Sequence, residues 1–137
     1  MNYTVSLLTS VPDCQALVNI ATEEKDSLQY RKTGLQRQRQ TATINASEVE
    51  TELVSVNAEL AVLQTMLDSL PEGANRAKVQ RDFKRAEYKK FVLEDRKENY
   101  GVMALLQKEY DIACVDEEIA QTDGFITALN TRMSELT

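Results

Sequence analysis

The chain has 137 residues and a formal net charge of −6, with four Gly, two Pro, and neither His nor Trp. That length is one domain's worth, and few helix breakers beside many Ala, Leu, Glu, Gln, Lys and Arg set the expected fold class as all-α. The missing His excludes the Glu-x-x-His ligands of a di-iron bundle, a Ser-His triad and a Cys-His pair, and the negative sum argues against general binding to nucleic acid or anionic lipid.

The first residues, MNYTVSLLTS, carry no positive charge and too short an apolar run for a secretory signal. Val5, Leu7, Leu8 and Val11 make residues 1–11 an extended arm that should pack on something. Ser10, with Asp13 three residues later, resembles a capping box, and Pro12 suits a first helical turn because its missing N–H would have had no partner there. A helix is expected over 12–70. Its seam steps by four and three through Cys14, Val18, Ala21, Lys25, Leu28, Lys32, Leu35, Arg39, Ala42, Ala46, Val49, Leu53, Val56, Leu60, Leu63, Leu67 and Leu70, as in a coiled coil. The seam is poor in apolar groups in its middle and strong from Val49 onward. Residues 41–47, TATINAS, are weaker helix formers than their surroundings and mark a weak point where Ser47 and Glu50 could cap a fresh helix.

Pro71 and Gly73 stop the first arm, residues 71–74 form the turn, and Asn75 is the expected cap of a second arm over 75–136. Its seam opens on Val79, Phe83, Ala86, Lys90, Leu93, Lys97 and Tyr100. It resumes one residue out of phase at Leu105 and continues through Lys108, Ile112, Val115, Ile119, Thr122, Ile126, Leu129, Met133 and Leu136. A single inserted residue calls for a π-bulge, local unwinding or a kink, and Gly101 lies at the insertion.

The resulting fold is a long antiparallel coiled-coil helical hairpin, each arm spanning ~90 Å if helical throughout. Charge supports the pairing. From Gln40 to Asn75 there are six acids and no base; from Arg76 to Lys97 there are nine bases and four acids. Folding at the turn sets these blocks side by side, with facing residue numbers summing to about 145. It also sets Lys25, Arg31, Lys32, Arg37 and Arg39 near Glu109, Asp111, Asp116, Glu117 and Glu118.

Residues 102–115 carry too wide an apolar face for one helical neighbour. Met103, Leu105, Leu106, Tyr110, Ile112, Ala113 and Val115 are therefore the candidate association surface. Leu17, Ile20, Val54, Val62 and Met66 add apolar groups off the first seam. The face calls for a second helix pair, most simply a second copy in a four-helix dimer. The competing architecture is a single-chain up-down four-helix bundle that reverses near 41–47 and 99–101.

No motif for catalysis emerges. Asp116-Glu117-Glu118 reads as a solvated helix face, the four isolated glycines make no phosphate loop, and no EF-hand spacing is present. Cys14 and Cys114 would lie well apart as two half-buried thiols, in keeping with a reducing compartment and a cytoplasmic location. Phe83, Tyr88 and Phe91 interleave the basic block in a way that could grip RNA or DNA, but the facing acidic block accounts for that charge more simply. Tyr30, Tyr88, Tyr100 and Tyr110 read as packing residues. The expected function is a non-enzymatic coiled-coil assembly protein, a scaffold or spacer acting through self-association, with no metal, cofactor, nucleic acid or membrane. The alternative is a chaperone-like or adaptor module that receives another protein's helix on residues 102–115.

Overall fold

The structure, a computed structural model, describes residues 1–137 and is an all-α helical hairpin. A single 3₁₀ turn at Val5–Leu7 precedes three helices: α1 (Val11–Ser69), α2 (Ala74–Tyr100) and α3 (Val102–Leu136). Contacts gather into two units, Arg39–Gln107 and Met1–Gln38 with Lys108–Thr137.

α1 starts where the capping residues place it, the Ser10 hydroxyl accepting the Asp13 amide at 3.4 Å. It then runs through residues 41–47 with no reversal, which removes the turn a single-chain bundle would need there. The β-branched residues in and beside this stretch fit a helix at little cost because their hydroxyls have a local acceptor. Thr43 donates to the Arg39 carbonyl and Thr51 to the Ser47 carbonyl, one turn back in each case. Ala42 and Ala46 keep the seam in phase as half-buried groups.

In the Arg39–Gln107 unit, Val49, Leu53, Val56 and Leu63 of α1 form a continuous core with Val79, Ala86 and Leu93 of α2. Leu60, Leu67, Leu70 and Phe83 close its edges. These are the strong heptad positions, and burying each Leu or Val stabilises the fold by about 1.5–3 kcal/mol. The chain turns between Leu70 and Gly73. Gly73 takes φ +152°, a conformation open to glycine and strained for other residues, and its carbonyl accepts the Ala77 amide at 3.0 Å. It is Gly73, and not the expected Asn75, that stands at the N-cap of α2. Glycine wins the position because the reversal has to be completed there.

The C-terminal end of α1 is closed from the other side of the turn. α1 has no basic residue in its last turn. The Arg76 guanidinium reaches back from α2 and donates through Nη1 to the Leu67 carbonyl and, at 2.9 Å, to the Leu70 carbonyl. It satisfies carbonyls that lack helical partners and sets a cation at the negative end of the helix dipole.

α2 and α3 meet at Gly101, the site of the inserted residue. A Cβ there would lie 2.2 Å from the Lys97 carbonyl oxygen, so only glycine permits this break. The break also shifts the seam. Lys97 and Tyr100, expected inside, are exposed, while Gly101 is buried. Freed from the seam, Lys97 pairs with Glu50 across the hairpin at 3.3 Å.

The second unit has a thinner core, fully buried at Cys14, Ala21, Leu28, Val115 and Leu129. Every seam position predicted on α3 from Lys108 to Leu136 is buried or half-buried. The charged seam positions of α1 are accommodated by snorkelling. Lys25 reaches Asp123 and Lys32 reaches Asp116, both at 2.6 Å. Facing numbers here, and at Glu50 with Lys97, add to 147 or 148 rather than 145. That offset is less than one helical turn and lies within the reach of a lysine stem.

The N-terminal arm packs on this same unit. Tyr3 packs against Phe125 with the rings tilted at 50° and their centroids 4.8 Å apart, and its hydroxyl accepts the Gln121 side-chain amide. Arg132 of α3 donates to the Leu8 and Ser6 carbonyls at 2.9 and 3.2 Å. The arm's irregular backbone is thereby tied down where no helix or strand would satisfy it.

Candidate association surface

The seven residues proposed as an association surface are divided by the structure. In the Arg39–Gln107 unit, Met103 and Leu106 are exposed and Leu105 is half-buried. In the other unit, Tyr110 and Ala113 are exposed, Ile112 is half-buried, and Val115 is sealed in the seam with about 1% of its surface accessible. Val115 therefore belongs to the chain's own core and has nothing to offer a partner. The heptad explains the split, because the positions that continue the Leu105–Leu136 seam are used by the hairpin itself and those between them are not.

Tyr110 and Cys114 stand one turn apart on α3, and a hydrogen bond to Cys114 raises the Tyr110 phenol above the ordinary tyrosine range. Cys14, by contrast, is buried. The two thiols are thus unlike, one a core group and one a surface group, rather than the two half-buried groups expected.

A second set of exposed apolar groups lies wholly within the Arg39–Gln107 unit. On α1 these are Val54, Val62 and Met66; on α2 they are Tyr88, Phe91 and Val92. Tyr30, Tyr88, Tyr100 and Tyr110 are all exposed, which corrects their reading as packing residues. None of the four packs because Tyr30, Tyr88 and Tyr110 fall between seam positions and Tyr100 sits at the break. Their spacing from the seam was the available signal.

The charges of this unit are placed differently from expectation as well. The acidic and basic blocks are adjacent, yet Glu50 with Lys97 is the ion pair formed between them. Arg81, Lys84 and Arg85 make no ion pair within the chain, and neither do Glu48, Glu52 and Glu59. Helical spacing sets Arg81, Lys84 and Arg85 on the side of α2 turned away from its Val79–Ala86–Leu93 seam, out of reach of α1.

The groove beneath the N-terminal arm, about 290 Å³ and lined by Tyr3, Leu17, Ile20 and Phe125, is shallow and apolar, with Glu24 and Gln121 as its polar rim. It gives the off-seam Leu17 a cover from within the chain. No helix is long and apolar enough to cross a membrane. No protein family, curated protein or solved structure matches this chain.

Proposed function

We propose that this protein is a non-enzymatic coiled-coil assembly protein, a scaffold or spacer that works by associating with further copies of itself. The observation that carries this reading is the set of large apolar side chains left in solvent on an otherwise charged hairpin. Val54, Val62, Tyr88 and Phe91 each keep 60–70% of their surface exposed. Exposed groups of this size, recurring at helical spacing, mark a surface that a partner covers. The hairpin's own seams are filled, so the remaining apolar faces serve contact between molecules.

An adaptor role is the second reading, and Met103 and Leu106 favour it. Met103 is 81% exposed, and a flexible thioether beside a leucine suits a surface that receives varied helices.

The two are separated by the mass of the purified chain in solution, read by light scattering after size exclusion. Two or more chain masses are expected for the assembly protein. One chain mass at every concentration would contradict it, and a substitution L106E that abolished capture of an amphipathic helical peptide would then establish the adaptor.

A further inference from the structure

Residues 1–9 lie over a groove between α1 and α3, yet the helices beneath are finished without them. α1 is closed at Ser10, whose hydroxyl accepts the Asp13 amide at 3.4 Å and whose carbonyl accepts the Cys14 amide at 3.3 Å. The helical bonds of α1 therefore begin on the far side of Thr9. The arm makes backbone bonds of its own, the Leu7 amide donating to the Thr4 carbonyl at 3.2 Å and the Leu8 amide to the Val5 carbonyl at 3.0 Å. Leu8 itself is extended, with φ −75° and ψ 127°, so a short open stretch of chain joins the arm to the Ser10 cap.

The arm is held lightly. None of residues 1–9 is buried, and Met1 and Leu7 keep 96% and 79% of their surface exposed. On either side of Tyr3 a cavity remains, about 290 Å³ toward Ile20 and Glu24 and about 300 Å³ toward Leu8 and Leu129, with Leu17 and Phe125 lining both. A cover that leaves two such spaces gains little of the close packing that holds a core together. Its polar hold on α3 comes from two side chains: the Gln121 amide donates to the Tyr3 hydroxyl, and the Arg132 guanidinium donates to the Leu8 and Ser6 carbonyls. Arg132 is also tied to Glu135 of its own helix at 3.0 Å, a contact that does not involve the arm and keeps the guanidinium at the edge of the groove.

We infer that residues 1–9 are a strap that opens and closes over the α1–α3 groove while both helices stay formed, with Arg132 as its latch. The occupant of the groove is the chain's own arm, and the closed strap withholds Leu17 and Phe125 from any other apolar contact. Segments that open locally are those with few buried contacts, and the strap is such a segment. The inference concerns this unit alone and does not rest on self-association.

The test uses the full chain with a nitroxide label attached through L7C in a C114S background, since Cys114 is the exposed thiol and Cys14 is buried. The closed strap sets the label beside α3 and broadens the amide signals of residues 121–132. R132Q and Y3A are each expected to remove most of that broadening, while amide exchange in residues 17–28 and 115–129 stays within about five-fold of the wild type. In the wild type, the Leu7 and Leu8 amides are expected to exchange at least about 100-fold faster than those of Ala21 and Leu28. Equal protection of the arm and α1, broadening that persists in either variant, or no broadening in the unsubstituted background would each overturn the inference. So would a larger rise of exchange in those segments of Y3A, which leaves α3 unaltered, because the arm would then be part of the unit's core. Where circular dichroism shows lost helix content in R132Q, Y3A alone decides.

Discussion

The two units of the molecule place their charges on opposite sides of the same device. In the unit of Met1–Gln38 and Lys108–Thr137, lysines occupy seam positions and turn outward to carboxylates of α3, so the ion pairs are internal to the chain. In the Arg39–Gln107 unit the seam is almost wholly apolar, and Arg81, Lys84 and Arg85 stand on the side of α2 turned away from α1. In the first unit the N-terminal arm covers part of the apolar surface, while Ile20, Tyr30 and Tyr110 stay exposed. The second has the more continuous core and exposes Val54, Val62, Tyr88 and Phe91. A block of charge in a hairpin is thus explained by its complement only where its positions point at that complement.

The largest effects should follow from the cores. Leu53→Ala in one unit and Leu129→Ala in the other each remove a buried side chain and should cost about 2–5 kcal/mol in chemical denaturation. Val54→Ala, one residue along α1 but exposed, should change stability by less than about 0.5 kcal/mol. Equal costs at Leu53 and Val54 would erase the distinction between seam and outer face.

Next in size is the turn. Arg76→Ala should destabilise by about 1–2 kcal/mol, because the end of α1 loses both a cation and two hydrogen bonds. Amide exchange should locate the loss at residues 67–70. A uniform change along α1 would contradict the capping role.

The seam lysines provide a smaller and opposite effect. Replacing Lys25 and Lys32 together by Leu exchanges two half-exposed ion pairs, each contributing ~0.2–1 kcal/mol, for apolar burial. A modest rise in melting temperature is expected. A fall would show that these charges hold the register rather than merely tolerate it.

The smallest effect concerns Tyr110. Its raised pKa means that the hydrogen bond favours the protonated phenol, so its contribution is present below the ordinary tyrosine value and disappears as pH rises through the higher folded value. Cys114→Ala should bring the phenol's titration, followed by NMR, back toward that of an exposed tyrosine. No change would mean that the thiol is not its partner.

Much of the fold was legible because coiled-coil periodicity is local information. Seam positions from Cys14 to Leu70 and from Leu105 to Leu136 follow from steps of three and four, and one surplus residue was enough to locate the break at Gly101. The weak propensity of 41–47 did not decide the outcome. Helix propensity differences of tenths of a kcal/mol are overridden when threonine hydroxyls find carbonyls one turn back and the seam stays in phase. The role of Arg76 was not legible, since it depends on how closely the turn brings α2 to the last carbonyls of α1. The exposed faces were legible in part. Val54, Val62 and Met66 lay visibly off the seam, but Tyr88 and Phe91 were absorbed into a charge-block argument that compared sign without comparing direction. The surface assigned to 102–115 included Val115 because a stripe drawn too wide took in the seam.

The central claim is that the incomplete faces of the Arg39–Gln107 unit are completed by further copies of the chain. The most direct test is the solution mass of the wild-type protein across a series of protein concentrations. Multiples of the chain mass, increasing with concentration, are the expected result. One chain mass at every concentration, with the apolar faces still exposed, would contradict it.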